Sequence, residues 1–315
     1  MVSYLLSRLV GYFVVLLIVS TIAFGMIRIV PGDFVTSNIA RSGSVPEERL
    51  SGIRHELGLD RPVYTQYFVW LGDAVQGDFG KSLVTSRPVT DELRERLPAT
   101  IELAVAATVL SALIGVTLGV VAAVRANSPI DLAARSIAVA GVSIPSFWVG
   151  TLAITLPALW WGWIRPANYR DFWEDPWVNL QQVWMPVVIL AFAFSADIMR
   201  VTRSSMLEVL HQDYIRTARA KGLTDLRVVI GHALRNALIP VVTVVGLQFA
   251  FLLSGEVIME QIFAIPGIGQ RLVTATVQRD YPVLQGGVLV IATGFVLINF
   301  LVDLSYAYLD PRLKR

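Results

Sequence analysis

IELAVAATVLSALIGVTLGVVAAV, residues 101–124, carries a single ionisable side chain, Glu102, in 24 positions. A helix rises 1.5 Å per residue, so about 20 such residues cross the roughly 30 Å of hydrocarbon in a bilayer. Five other stretches approach that length: 9–30, 136–159, 183–199, 237–255 and 283–302. They predict an all-α integral membrane protein of about six transmembrane helices. Composition agrees: of 315 residues 55% are hydrophobic and 16% charged, with mean hydropathy +0.61. A soluble domain averages about 25% charged residues.

The formal charge of +2 is too small to suggest nucleic acid, so the placement of the charges matters more than their sum. With no cysteine, a disulfide framework or Cys-based metal site is excluded. The first apolar run follows Arg8 and exceeds the roughly 7–15 residues of a cleavable signal core, and no small-x-small pattern follows it. It reads as a retained first helix.

An even number of spans puts both termini on one side, and positive charge is retained in the cytoplasm during insertion. With the N-terminus inside, the inner segments hold thirteen basic residues: Arg8, Arg125, Arg135, Arg200, Arg203, Arg216, Arg219, Lys221, Arg227, Arg235, Arg312, Lys314 and Arg315. The two short outer loops hold four, Arg165, Arg170, Arg271 and Arg279. Both termini are therefore expected in the cytoplasm. Residues 31–98, polar and of mixed charge, fall outside and are expected to form a small cap. The expected organisation is 1–30, a tail and first span; 31–98, the extracytoplasmic cap; and 99–315, the transmembrane core with a cytoplasmic loop at 200–236.

Six of the eight tryptophans lie between Trp160 and Trp184, in or beside the second outer loop. Indoles favour the membrane–water boundary, so an interfacial belt or a stacking platform for a ligand both fit. Pro145 and Pro157 fall within the third span and are expected to bend it, since each removes a backbone donor. Charges near the spans are costly and often functional. Asp197, three residues before Arg200, suggests a local ion pair; Glu256 and Glu260 occupy adjacent turns near the outer end of the fifth span. Pro145, Asp197, Glu256 and Glu260 are the candidates for a translocation path or outer gate. Arg28, Glu102 and Asp303, at span ends, are expected to reach to water.

Between the fourth and fifth spans, the composition from Asp213 to Lys221 favours a helix that Gly222 stops. Thr224 can cap a second helix, in which Leu226, Val229, Ile230, Ala233, Leu234 and Ala237 recur at helical spacing. Two short helices parted by a glycine and carrying Arg216, Arg219 and Lys221 form an elbow suited to docking a partner. The same charges also suit anionic lipid headgroups, at about 1 kcal/mol each.

The run 213–240, DYIRTARAKGLTDLRVVIGHALRNALIP, resembles the cytoplasmic EAA loop of binding-protein-dependent ABC importer permeases of the dipeptide/oligopeptide/nickel family. The resemblance continues through ELGLDRPVYTQYFVWL from Glu56, GDFGKS from Gly77, ERLPATIELA from Glu95, SIPSFWVG from Ser143, EVIMEQIFAIPGIG from Glu256, RDYPVLQG from Arg279 and the terminal DPRLKR. It is similar to the first of the two permeases in such systems, the one with a long outer segment after helix one.

This resemblance implies that residues 214–222 form a coupling helix held in a cleft of a cytoplasmic ATPase. The coupling loop so implied is Asp213, Tyr214, Arg216, Thr217, Ala218, Arg219, Ala220, Lys221, Gly222 and Leu223. Ala218 and Gly222 match the pattern's small residues, whereas Arg216 and Thr217 stand where it has Glu and Ala, and Arg235 where many members have proline. The implied partners are two ATPase subunits that bind ATP and Mg, an extracytoplasmic substrate-binding protein, membrane lipid, and a homologous second permease or a second copy of this chain. The chain itself would carry no cofactor. Relatives of this type serve di- and oligopeptides most often, and also nickel, glutathione, opines and oligosaccharides. Residues 161–182 do not match well.

Gly80-Lys81-Ser82 looks like the end of a phosphate-binding loop, but that motif needs glycine where Val75 stands. His55, His211 and His232 are too dispersed for a metal site, and no catalytic constellation emerges. The rival from another class is an ion-coupled secondary transporter, which predicts carboxylates deep in the spans.

Overall fold

The computed structural model describes residues 2–29, 61–166 and 168–309. Residues 31–60 of the expected cap and the terminal Arg312, Lys314 and Arg315 lie outside the described residues, as does the side chain of Arg28. The described helices are α1 (Val2–Ile29), α2 (Val63–Val75), α3 (Val89–Val124), α4 (Pro129–Ser143), α5 (Ser146–Trp161), α6 (Pro176–Leu210), α7 (Asp213–Ala220), α8 (Asp225–Leu253), α9 (Val257–Ile262), α10 (Ile268–Gln278) and α11 (Tyr281–Leu309). Leu6–Met26, α3, α6, α8 and Tyr281–Ser305 are each long and apolar enough to cross a membrane, and α4 with α5 makes a sixth, broken span. The protein is an all-α integral membrane protein.

The third span is bent, as its prolines predict, and sharply enough to part into two helices. Its two halves meet at 87°. Ile144 is extended (φ −94, ψ 122) because the ring of Pro145 disfavours helical geometry in the residue before it. Pro145 then caps α5, while Pro157 stays inside that helix, which ends at Gly162 in the left-handed region (φ +64). Pro98 also lies within a helix: α3 runs unbroken through the position where the sequence reading ended the cap.

Two compact units are present, a larger one holding Leu97–Gln270 with the chain from Gly294, and a smaller one drawn from Leu6–Arg96 and Arg271–Thr293. In the larger, α3 lies directly on α6 at Gly115 and Gly119. A Cβ at Gly115 would sit 2.6 Å from Ile198 Cβ, and one at Gly119 2.6 Å from Thr202 Cβ. Small residues four apart let helix backbones approach where lipid supplies no hydrophobic drive. An alanine layer continues the packing, with Ala122, Ala134, Ala138 and Ala196 around Met199. Asp303 is buried at 8% exposure rather than reaching to water.

In the smaller unit, the GDFGKS turn and the start of α11 are tied by charge. Arg271 donates to Glu92 at 2.7 Å and to Asp280 at 2.9 Å, all three buried. Asp280 also accepts from the Ser82 hydroxyl at 2.6 Å and the Leu83 N–H at 3.0 Å. The hydroxyl that a phosphate-binding loop would offer to a metal is therefore committed elsewhere. Breaking such a buried pair costs far more than forming it gains, so the network fixes geometry. Tyr67 and Trp70 of α2 pack on Phe24 of α1.

Candidate functional site

Helix α7 leaves nearly its whole surface uncovered by the rest of the chain. Ile215 and Ala218, one turn apart, are its buried residues; Asp213, Tyr214, Arg216, Thr217, Arg219, Ala220, Lys221 and Gly222 are exposed. The two anchors enter an apolar cluster with Ala123 of α3, Met206 of α6, and Val228, Val229, Ala233 and Ala237 of α8, against which Leu223 also packs. The elbow thus rests on the ends of three spans.

Its termination explains Gly222. The Leu223 N–H donates to the Ala218 carbonyl at 3.4 Å and the Gly222 N–H to that of Arg219 at 2.9 Å, with Gly222 at φ +82. This is the 6→1 and 5→2 pair of a Schellman cap, accompanied by packing of Leu223 on the apolar cluster that holds Ala218. Arg216 pairs with Asp213, Arg219 reaches Asp225 at 3.3 Å, and Tyr214 accepts from Asn236 at 2.8 Å.

The second helix of the elbow differs from expectation. Thr224 stands at the N-cap position, but its side chain makes no capping bond, and the helix runs on into the fifth span as one element. Val228–Leu234 is π-helical, with i→i+5 bonding that widens the turn. Val228 and Ala233, five apart, are fully buried, while Leu226 and Ile230, placed in the apolar stripe by a 3.6 period, are exposed.

The path candidates separate. Pro145 is the bend of the broken span. Asp197 pairs with Arg200 and lines a shallow pocket with Phe194, Val244, Leu247, Gln248 and Phe251. Glu256 is partly buried and precedes α9; burial, then the charge of Glu260, pushes its carboxyl above the usual range.

Glu260 is fully buried, so the structure places it away from any open surface. Its carboxylate accepts from Thr100 at 2.8 Å and from the Gln270 N–H at 2.7 Å, while Thr100 accepts the Ile268 N–H at 2.9 Å. These are orphan donors at the start of α10, where a negative charge is favourable. The glycines of IPGIG make the room: a Cβ at Gly267 would lie 2.1 Å from Glu260 Oε1, and one at Gly269 2.9 Å from Oε2. Gly267→Ala is expected to cost about 1–3 kcal/mol by overpacking, read as a lower thermal midpoint in detergent. An unchanged midpoint would contradict the cradle.

The tryptophan-rich loop is folded onto the larger unit. Tyr169 and Asn179 donate to Glu102 at 2.7 and 3.1 Å, so Glu102 is tied to this loop rather than extended to water. Burial, then Glu102, pushes the Tyr169 hydroxyl well above its usual range. Burial lowers the Arg165 guanidinium, which donates to the carbonyls of Phe263 and Gln182. Trp163 packs on the core, whereas Trp160, Trp161, Trp173 and Trp177 are exposed.

Spans packed around small residues, with a basic elbow seated on their ends, describe an integral membrane protein with a surface elbow open to a partner. The chain belongs to the family of binding-protein-dependent transport system inner membrane components, which it matches over residues 115–315, with the corresponding N-terminal family matched over 1–104. It is 43% identical over 314 residues to a protein named as a peptide transport system permease of Brucella abortus (strain 2308), covering 100% of this chain and 99% of that one. It is 40% identical over 314 residues to the glutathione transport system permease protein GsiC of Escherichia coli (strain K12), with the same coverage. Among solved structures, the inward-facing MetNI methionine ABC transporter shares the fold at TM-score 0.55 and 20% identity, over 69% of this chain and 96% of that one. An amino acid ABC transporter does so at TM-score 0.50 and 19% identity, over 70% and 94%.

Proposed function

We propose that this permease subunit imports di- or oligopeptides, with α7 as its coupling helix; the exposed, glycine-capped α7 on the ends of three spans carries the reading. Kinship with permeases named for peptide and glutathione transport supports peptide cargo. Two cytoplasmic ATPases bind ATP and Mg, and their closure moves α7. A substrate-loaded binding protein docks on the outer face, and both termini lie in the cytoplasm as the basic residues indicate. A second permease, homologous or identical, supplies the other half of the path. Asp197, beside an apolar pocket, and the partly buried Glu256 are groups that a peptide's amino end would meet. The coupling helix must contact the two ATPase states differently, since equal contact shifts nothing.

ATP hydrolysis by the complex in lipid tests this, comparing wild type with Gly222→Pro. Proline cannot adopt φ +82 and removes the 2.9 Å bond to Arg219. Loaded binding protein is expected to stimulate wild type, and the variant to assemble yet lose coupled transport. Transport driven by an ion gradient with no ATPase bound would overturn the reading.

A further inference from the structure

Asp131, at the start of α4, is fully buried and held from three sides. Arg203 of α6 grips it with both prongs, Nε to Oδ1 and Nη2 to Oδ2, each at 2.7 Å. The Asn127 N–H, in the turn leaving α3, donates to Oδ2 at 2.9 Å, and Arg135 lies 3.2 Å away. One carboxylate thus joins the α3–α4 turn to α6, ten residues before α7 begins.

From there α4 runs antiparallel along α6. Asp131 meets Arg203, Ala134 and Ala138 share a cluster with Met199 and Ala196, and Gly141 faces Phe192, where a Cβ would lie 3.2 Å from the ring. Beyond Arg203 on α6, Met206 shares the cluster that seats Ile215 and Ala218 of α7. At its other end α4 stops at the 87° break before Pro145.

We propose that Asp131 is a positioning residue for transport: its pairing with Arg203 makes α4 part of the body that α7 pushes. Displacement at α7 then arrives at the Ser143–Pro145 bend, about 18 Å along α4 from the pair. This rests on the reading of α7 as the coupling helix. A planar guanidinium gripping a carboxylate with two parallel bonds fixes orientation as well as distance, which suits a strut more than a flexible tether. Small residues along the rest of the contact hold the helices close but offer no polar registration, so the pair sets the alignment.

The test uses the complete importer, with its ATPase and binding-protein subunits, in liposomes. Asp131→Asn is nearly isosteric but gives up the charge that holds Arg203. It is expected to keep ATP hydrolysis within about twofold while transport per ATP falls at least about tenfold, because Arg203 loses the charged, two-bond grip that orients α4 on α6. Because the chain has no native cysteine, Asp131→Cys combined with Arg203→Cys can be joined by a short bifunctional thiol reagent. Joining is expected to restore most transport per ATP, a recovery that general destabilisation would not give. An unchanged ratio in Asp131→Asn, equal transport by joined and unjoined cysteine variants, or transport blocked by joining would overturn the strut. If Asp131→Asn fails to assemble, the cysteine pair decides alone. Wild type that shows no stimulation by loaded binding protein would instead sink the coupling reading, and the strut with it.

Discussion

Gly119→Val is expected to give a protein that no longer forms a monodisperse complex after extraction. The added Cβ would lie 2.6 Å from Thr202 Cβ and 2.9 Å from the Met199 carbonyl. A backbone oxygen cannot rotate away as a side chain can, so α3 and α6 must part. Overpacking typically costs about 1–3 kcal/mol, and a contact on backbone lies at or above the top of that range. The same opening would withdraw α3's end from the cluster beneath α7. The control is Gly72→Ala, at a glycine of α2 whose Cβ would meet nothing within 4 Å. Alanine is about 1 kcal/mol better than glycine in a helix, so this variant is expected to match wild type or melt higher. Size-exclusion profiles and thermal midpoints for the pair check the claim, and equal behaviour would refute it.

Ile215→Asp is expected to abolish coupled transport. Ile215 is fully buried at the centre of the cluster that seats α7. Losing such a side chain costs about 2–5 kcal/mol, and a carboxylate placed there lacks the partner its burial demands. With Ala218 as the other buried residue of α7, the helix would leave its seat. Co-purification of ATPase subunits and transport per ATP should both fall, whereas Arg216→Ala, exposed and paired with Asp213, should leave the seat intact. Full coupling in Ile215→Asp would mean that the elbow works without its anchor.

The spans were legible because a bilayer demands long apolar runs and nothing else in the chain competes with them. Gly222 was legible too, since a left-handed residue at a helix end calls for glycine. The wide turn Val228–Leu234 was not: its residues suit an ordinary helix, and the exposed Leu226 and Ile230 follow from backbone bonding that a 3.6 period does not encode. Pro145 and Pro157 look alike in sequence, but only the first breaks its span, where the chain also needs an extended residue at Ile144. Glu260 read as a candidate for the path or outer gate because its partners, Thr100 and the Gln270 N–H, are remote in sequence. The clustered glycines at 255, 267 and 269 were the available signal of a buried group needing space. Gly115 and Gly119, four apart in an apolar run, gave a similar hint of close helix packing. Asp131 and Arg203 lie 72 residues apart, and no local pattern joins them.

The seat of α7 has a mechanical asymmetry. Pressed toward the spans, the helix bears on the packed ends of α3, α6 and α8, and that stack has little room to yield. Drawn outward, it is resisted by two apolar side chains, Leu223 behind its cap and the bond from Asn236 to Tyr214. Under the proposed coupling role the elbow would work as a buffer more than a handle, passing on compression better than tension, so that a partner's stroke would be felt chiefly on the approach.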